Sequence, residues 1–141
     1  MKLLMSEFYP ISGTAITWLT HKGKIYKGKA QYKESNINPP NRFFGQRIAE
    51  KRALIEYWKE RRTINKIKQQ ALESFKKDLD TYVYDGVLEE GLYETILDKL
   101  DEHIKYYGKE AKDCKEIIQT QKKNIEKDIK LRQQLLERKG Q

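Results

Sequence analysis

The sequence is poor in cysteine, proline and glycine, and each shortage limits what the chain can form. The single cysteine, Cys114, excludes an intrachain disulfide and a metal cluster held by several thiolates. All three prolines precede residue 41, so only a few glycines interrupt the rest of the sequence. Long helices are therefore possible over most of the chain.

Long apolar runs are also absent. No stretch approaches the roughly 20 apolar residues that a membrane-spanning helix needs. The segment MKLLMSEFYP carries an apolar run that is too short for a signal peptide. We therefore expect a soluble, intracellular chain without a membrane partner.

Catalytic motifs are missing from the sequence as well. It contains no Walker loop, no GxGxxG, no HExxH and no paired-cysteine zinc motif. His21 and His103 lie far apart, and neither has a cysteine nucleophile nearby. Because no helix-turn-helix or basic zipper pattern is present either, any nucleic-acid binding would act mainly through phosphates. We expect a non-enzymatic protein without a metal or cofactor.

Charge is what the chain has in abundance. Charged residues make up 35% of the sequence, whereas an average domain carries about 25%. The formal net charge is +8 and the isoelectric point is near 9.4. This balance favours an anionic partner, such as a nucleotide, a nucleic acid or an acidic protein. Simple solubility is the alternative explanation.

Residues 1–40 are predicted to form an antiparallel β-hairpin. The strands AITWLT and KIYKGKAQYK flank a three-residue loop at positions 21–23, with its glycine in the left-handed region. In that register Trp18 faces Tyr26, and Gly28 lies where another backbone can approach closely. The predicted buried face contains Ile16, Trp18, Tyr26, Ala30 and Tyr32, and the opposite face contains Thr17, Lys27, Lys29 and Lys33.

Residues 41–141 are predicted to form a long antiparallel helical hairpin. The first helix runs from about Asn41 to Tyr84, and the turn lies near residues 84–87, where Gly86 is a good helix stop. Centring the hairpin on this turn brings residue 48 close to residue 123, and residue 64 close to residue 107.

A heptad seam is the clearest periodic signal in the second helix. Apolar residues recur there at alternating steps of three and four, and past Ile125 the phase drifts towards Ile129 and Leu136. The first helix matches the pattern loosely. The predicted seam of the second helix is Leu97, Leu100, Ile104, Tyr107, Ala111, Cys114, Ile118, Gln121 and Ile125. That of the first helix is Phe44, Ile48, Ile55, Trp58, Ile64, Ile67, Leu72, Phe75, Leu79 and Tyr82.

These patterns predict one structural domain with a mostly α, α+β fold. A β-hairpin precedes a long two-helix coiled-coil hairpin. Ile117, Ile118, Ile125 and Ile129 span more than one narrow stripe, which is more apolar surface than two helices can bury against each other. We therefore expect a homodimer or a higher homo-oligomer.

The charges are distributed unevenly along the chain. Residues 1–40, 41–70, 71–113 and 114–141 carry net charges of +4, +6, −6 and +4. An antiparallel hairpin brings the three basic segments to one end, opposite an acidic turn. Because ordinary surfaces mix both signs, this segregation predicts a basic pole with a function.

The basic pole is the predicted anion-binding site. Arginine offers a planar fork for phosphate oxygens, lysine offers a point charge, and aromatic faces can stack a base. In the alternative interpretation the aromatic residues belong to the core and the cations only snorkel around it. The candidate ligand-binding residues are Tyr26, Phe43, Arg47, Lys51, Arg61, Arg62, Lys123, Lys127 and Arg132.

The stretches KGKIYKGKAQYK and FFGQRIAEKRALI resemble a pattern found in small accessory proteins of phages of Gram-positive bacteria. In that pattern a lysine-rich strand pair ending in G-x-A precedes a helix with a G-x-x-[IL]-A-x-x-R-A core. SNINPPN replaces the acidic pair that often separates the two. The helix core is represented here by Gly45, Ile48, Ala49, Arg52 and Ala53.

Within that group, a hairpin with two long helices is similar to a Thoeris anti-defence family. Its members sequester a cyclic ADP-ribose signal between protomers, using arginines and an aromatic residue. The resemblance implies a cytoplasmic location in an infected bacterial host, and it assigns no ligand residue in this chain.

Three functions are therefore open. The first is a phage-type anti-defence protein that sequesters an anionic nucleotide, such as a cyclic ADP-ribose isomer. The second is an accessory protein that grips nucleic acid through its phosphates, which moderate salt would weaken steeply. The third is a protein–protein inhibitor or scaffold that acts through its coiled coil and acidic turn.

Overall fold

The computed structural model describes residues 1–9, 12–31, 42–84, 86 and 89–139, with backbone alone at 42–43, 83–84 and 136–139. Three strands precede two long helices, which pack against each other. The predicted α+β, mostly helical fold is thereby confirmed. The elements are β1 (Lys2–Tyr9), β2 (Thr14–His21), β3 (Lys24–Gln31), α1 (Arg42–Tyr84) and α2 (Glu90–Lys139).

The chain divides into two compact units. Unit 1 contains Met1–Trp58 and Ile117–Gln141, and unit 2 contains Lys59–Glu116. Unit 1 therefore combines the sheet with the beginning of α1 and the end of α2. Unit 2 contains the remainder of both helices.

The three strands form one antiparallel sheet in the order β1-β2-β3. Strand β1 was not among the two strands named from the sequence, because it does not alternate apolar and polar residues. Its first four residues are all exposed. Leu4 is the extra residue of an irregularity in the pairing with β2 and has no partner there.

The turn between β2 and β3 is one residue shorter than predicted. His21 pairs with Lys24, and both Lys22 and Gly23 have positive φ angles, of 49° and 79°. A two-residue turn of this kind needs positive φ at both positions. The three-residue loop predicted from the sequence has this conformation only at Gly23, because positive φ is uncommon for other residues.

This shorter turn shifts the register of β2, and the predicted position of Trp18 opposite Tyr26 is wrong. Trp18 pairs with Lys27, and Leu19 pairs with Tyr26. A slip of one residue reverses the face of every side chain on a strand. Thr17 is therefore buried, whereas Trp18 is only half-buried. The buried face of β2 and β3 contains Ala15, Thr17, Leu19, Tyr26, Gly28 and Ala30, and Tyr32 and Lys33 lie outside the described residues.

Gly28 lies directly against the backbone of α1, as the sequence analysis predicted for a close approach at this position. A Cβ atom built on it would overlap the carbonyl oxygen of Ala49 and the amide nitrogen of Ala53. It would also lie 2.9 Å from the carbonyl carbon of Ala49. Both alanines are fully buried. Only glycine permits this distance between the sheet and the helix.

The hydrophobic core of unit 1 joins the sheet to both helices. It covers Ile118 and Ile125 of α2, two of the four isoleucines whose combined apolar surface led to the expectation of a second protomer. The sheet therefore buries part of the apolar surface that two helices alone leave open. The core residues are Ala15, Ala30, Ile48, Ala49, Ile55, Ile118 and Ile125, with Phe8, Trp58 and Ile129 packed against them.

The heptad seam predicted for α2 is confirmed. Every one of its nine residues is buried or half-buried. In α1 the prediction holds as far as Trp58. Beyond it Ile64, Leu72 and Leu79 are buried or half-buried as predicted, whereas Ile67, Phe75 and Tyr82 are exposed. The predicted seam contained apolar residues alone, whereas the regular three–four spacing continues through polar ones. The positions of α1 in unit 2 that keep this spacing are all buried or half-buried, and they are Arg62, Asn65, Gln69, Leu72, Lys76 and Leu79.

Polar contacts connect the two helices in unit 2. Asn65 Nδ2 donates to Cys114 Sγ at 4.0 Å, and Lys76 Nζ donates to Asp101 Oδ1 at 2.8 Å. These partners lie further along α2 than the predicted pairing of residue 64 with residue 107. The turn contains Gly86 with φ of 69°, as predicted, but α2 begins only at Glu90. The longer connection shifts the pairing.

We predict that Gly28→Ala destabilises the protein by about 1–3 kcal/mol or more, because the new methyl group overlaps the backbone of α1. Thermal unfolding followed by circular dichroism measures the loss. Gly91→Ala is the matched control, since a Cβ there meets nothing within 4 Å. Equal melting temperatures for the two variants would contradict the packing described here.

We also predict that Cys114 reacts more slowly with a thiol reagent in the native protein than in the unfolded chain. Its side chain is 3% exposed, and burial raises the pKa of the Cys114 thiol above its ordinary value. Less thiolate is therefore present at a given pH, and the reagent has less access. A native rate at pH 8 equal to the rate in guanidinium chloride would contradict the buried position.

Candidate anion-binding site

The nine candidate residues are divided between the two units. Arg61 and Arg62 belong to unit 2, whereas the other seven belong to unit 1. The Phe43 side chain lies outside the described residues. By sequence, unit 1 holds 17 lysines and arginines against seven acidic residues, a net charge of +10, and unit 2 has a net charge of −2. Besides Phe43, the candidates in unit 1 are Tyr26, Arg47, Lys51, Lys123, Lys127 and Arg132.

Arg47 and Lys51 both bind a buried carboxylate of this chain. Asp128 on α2 has a side chain that is 5% exposed, and its Oδ1 lies 3.2 Å from Arg47 Nε. Its Oδ2 accepts a hydrogen bond from Lys51 Nζ. A carboxylate removed from water needs such partners. The first role of these two cations is therefore to hold α1 to α2 within unit 1.

Tyr26 belongs to an aromatic cluster in the core of unit 1. Its ring centroid lies 5.3 Å from that of Tyr57, with the ring planes at 86°. Tyr57 also meets Trp58 at 4.9 Å and His21 at 5.1 Å, both edge-on. Because Tyr26 is 9% exposed, it does not present an open face for stacking a base. Edge-to-face packing accounts for the cluster.

The remaining lysine candidates, Lys123 and Lys127, are exposed on α2. They add positive potential around unit 1. In unit 2, Arg61 and Arg62 are half-buried. The positive charge of Arg61 opposes the effect of burial on the pKa of the Cys114 thiol.

Arg132 lies in a cavity with a second arginine that the sequence analysis did not select as a ligand. The cavity measures about 230 Å³, and Arg52 of α1 lines it together with Arg132 of α2. Two glutamines and three apolar residues also line it. None of the described lining residues is acidic. They are Ala30, Gln31, Ile48, Arg52, Ile129, Arg132 and Gln133.

The guanidinium of Arg52 is held in place by the sheet. Its Nη1 donates a hydrogen bond of 2.7 Å to the backbone carbonyl of Lys29 on β3. A guanidinium has five N–H donors in a fixed plane, so this bond orients the group and occupies one donor. The Nε atom of Arg132 is buried at the same cavity. The cavity can thus present charged donors from two helices to an oxyanion.

A periodic signal in the sequence could have located Asp128 and Arg132. The seam of α2 continues past Ile125 by the same steps of three and four, and it then reaches Asp128 and Arg132. The predicted phase drifted to the apolar Ile129 instead. Lys51 likewise occupies a regular seam position of α1 between Ile48 and Ile55. Charged residues at seam positions are therefore the sequence feature that indicates the Asp128 ion pairs and the neighbouring Arg132.

The described residues contain no group of three or more His, Cys, Asp or Glu side chains placed to hold a metal ion. Neither helix has, over its described part, an apolar stretch long enough to span a bilayer. Comparison of the chain with protein-family models, curated proteins and solved structures found no match. The arrangement of side chains is therefore the basis for any functional proposal.

We predict that Asp128→Asn lowers the free energy of unfolding by about 1–3 kcal/mol, because Lys51 and Arg47 lose their common carboxylate. The loss stays below that of a fully buried pair, since the Arg47 side chain is 47% exposed and can turn to water. Urea denaturation measures the change.

Glu126→Gln is the matched control for this prediction. It removes an exposed carboxylate from the same helix and should cost no more than about 0.5 kcal/mol. Indistinguishable unfolding curves for the two variants would contradict a stabilising role for Asp128.

Proposed function

We propose that this chain is a non-enzymatic binding protein for an anionic nucleotide, with a phosphoryl group of the ligand held between Arg52 and Arg132. The observation that carries the proposal is the cavity of unit 1, which Arg52 and Arg132 line together and whose described lining contains no acidic residue. Each arginine can form paired, charge-assisted hydrogen bonds to phosphate oxygens.

The size of the cavity supports a phosphoryl group rather than a whole nucleotide inside it. Pockets that enclose drug-sized ligands measure about 300–1,000 Å³, and this cavity measures about 230 Å³. The rest of the ligand would therefore extend out of the cavity. Ile48 and Ile129 exclude water from one side, which strengthens the charged hydrogen bonds.

The biological form of the proposal is the sequestration of a cyclic ADP-ribose isomer by a phage-type anti-defence protein. The support for this form is the sequence resemblance, together with a cation-rich cavity suited to a pyrophosphate. Sequestration requires binding without turnover. The proposal therefore assigns the arginines a binding role and no part in a reaction.

Nucleic-acid binding through phosphates is the second candidate. The net charge of +10 on unit 1 and the exposed Lys123, Lys127 and Lys130 of α2 favour it. A protein that makes 6–10 phosphate contacts loses about 10³- to 10⁵-fold in affinity between 50 and 200 mM salt. A single phosphoryl site loses much less, so salt dependence separates the two candidates.

We predict that Arg52→Gln and Arg132→Gln each weaken nucleotide binding by roughly 10- to 150-fold, the loss of charge-assisted hydrogen bonds worth about 1.5–3 kcal/mol. Isothermal titration calorimetry with ADP-ribose, cyclic ADP-ribose and inorganic pyrophosphate measures the affinity. Arg52→Lys keeps the charge but loses the planar fork, and we expect an intermediate loss.

Lys130→Gln is the matched control, because it removes one exposed cation from the same helix as Arg132. It should change the affinity by less than about fivefold. If all these variants lose affinity equally, binding depends on the overall charge of unit 1 and the cavity is not the site.

Sequestration itself can be measured in a lysate of bacteria whose defence signalling is active. The protein is added, the small molecules that remain free are analysed by mass spectrometry, and the recovered protein is heated to release its ligand. Depletion of a nucleotide that reappears on heating supports the proposal. No depletion and no release would exclude this biological form.

A further inference from the structure

The two edges of the sheet are protected very differently. Three exposed lysines lie along β3 at positions 24, 27 and 29, and Arg52 donates a hydrogen bond to the carbonyl of Lys29. Charged side chains of this kind discourage the addition of another strand. In β1, by contrast, Leu3, Leu4 and Met5 are 60%, 54% and 45% exposed. Charged side chains therefore protect the β3 edge, whereas the β1 edge carries consecutive exposed apolar residues.

The arrangement of these residues indicates what could cover them. Consecutive residues of a strand point to opposite faces of the sheet, so a helix lying on one face would leave some of the three exposed. A strand added beside β1 brings neighbours to both faces and also pairs the backbone groups along the edge. Leu4 has no partner on β2, and such a strand would supply one.

We propose that β1 of a second copy of this chain is that strand, and that the two β1 strands pair antiparallel about a two-fold axis between Leu4 and Met5. Lys2 then faces Glu7 of the second copy, and Leu4 faces Met5. Because β1 contains one lysine and one glutamate, this is the only antiparallel register in which its two charges meet. A parallel, in-register pairing would instead place lysine beside lysine.

The pairing is self-complementary, as a two-fold interface requires. Both Lys2–Glu7 pairs form at once, and Leu4–Met5 contacts lie on either side of the axis. The two sheets join into one of six strands. Glu7 also accepts a hydrogen bond from the Tyr9 hydroxyl, and its carboxylate has further lone pairs for a lysine.

Charge exchange between the two positions tests the proposal. Lys2→Glu places glutamates opposite each other in both pairs, and Glu7→Lys does the same with lysines. Each single variant should weaken dimerisation by at least about tenfold, measured by sedimentation equilibrium of the full chain. The double variant Lys2→Glu/Glu7→Lys restores both attractive pairs and should recover the affinity of the original protein.

Mixing the two single variants gives a second, independent readout. In the mixed dimer every glutamate faces a lysine, so Lys2→Glu and Glu7→Lys should associate with each other more tightly than either associates with itself. Melting curves by circular dichroism confirm that each variant is folded. These substitutions lie outside the Arg52–Arg132 cavity, so their effect on association is separable from nucleotide binding.

Three results would overturn the proposal. The first is a wild-type chain that stays monomeric at the highest concentration it tolerates. The second is a dimer whose affinity is unchanged in both single variants, which would place the interface elsewhere. The third is a double variant or a mixture that does not recover association, since the register requires that it does.

Discussion

The contact between Gly28 of β3 and the backbone of α1 is the constraint on which the rest of unit 1 depends. Because a Cβ at this position would overlap Ala49 and Ala53, the sheet and the helix lie closer than most side chains permit. That distance places Arg52 within 2.7 Å of the Lys29 carbonyl. The strand motif G-x-A and the helix motif G-x-x-I-A-x-x-R-A, noted for their resemblance to phage proteins, thus form two sides of one interface.

Charged residues at seam positions give the helix pair its register. An apolar seam tolerates a shift by one heptad, whereas a buried carboxylate has to meet its cations. In unit 1 Asp128 meets Arg47 and Lys51. In unit 2 the Asn65–Cys114 contact and the exposed Lys76–Asp101 pair fix the alignment of the two helices in the same way. The hydrophobic seam provides the driving force, and these polar contacts select one alignment.

The sequence was sufficient for the fold class, the first helix, the seam of α2 and the close approach at Gly28, because each has a strong local signal. It was insufficient where the conformation of one residue determines the register of a whole strand. The positive φ of Lys22 shortened a turn and reversed the face of β2. Beyond Trp58 the predicted seam of α1 was correct only in part, because polar residues continue the regular spacing there. The predicted site depended on net charge, which did not reveal that Asp128 binds Arg47 and Lys51.

The same periodicity explains why the proposed anion-binding cavity lies beside an ion-pair cluster. Asp128 and Arg132 occupy successive seam positions of α2. At the first, α1 supplies two cations, Arg47 and Lys51, to one carboxylate. At the second, the residue of α1 that lines the cavity is another arginine, Arg52, and none of the described lining residues is acidic. Charge-assisted hydrogen bonds from a guanidinium to an oxyanion are stronger than neutral ones. An anion in this cavity would draw on arginines from both helices, which is the physical reason for proposing a ligand there.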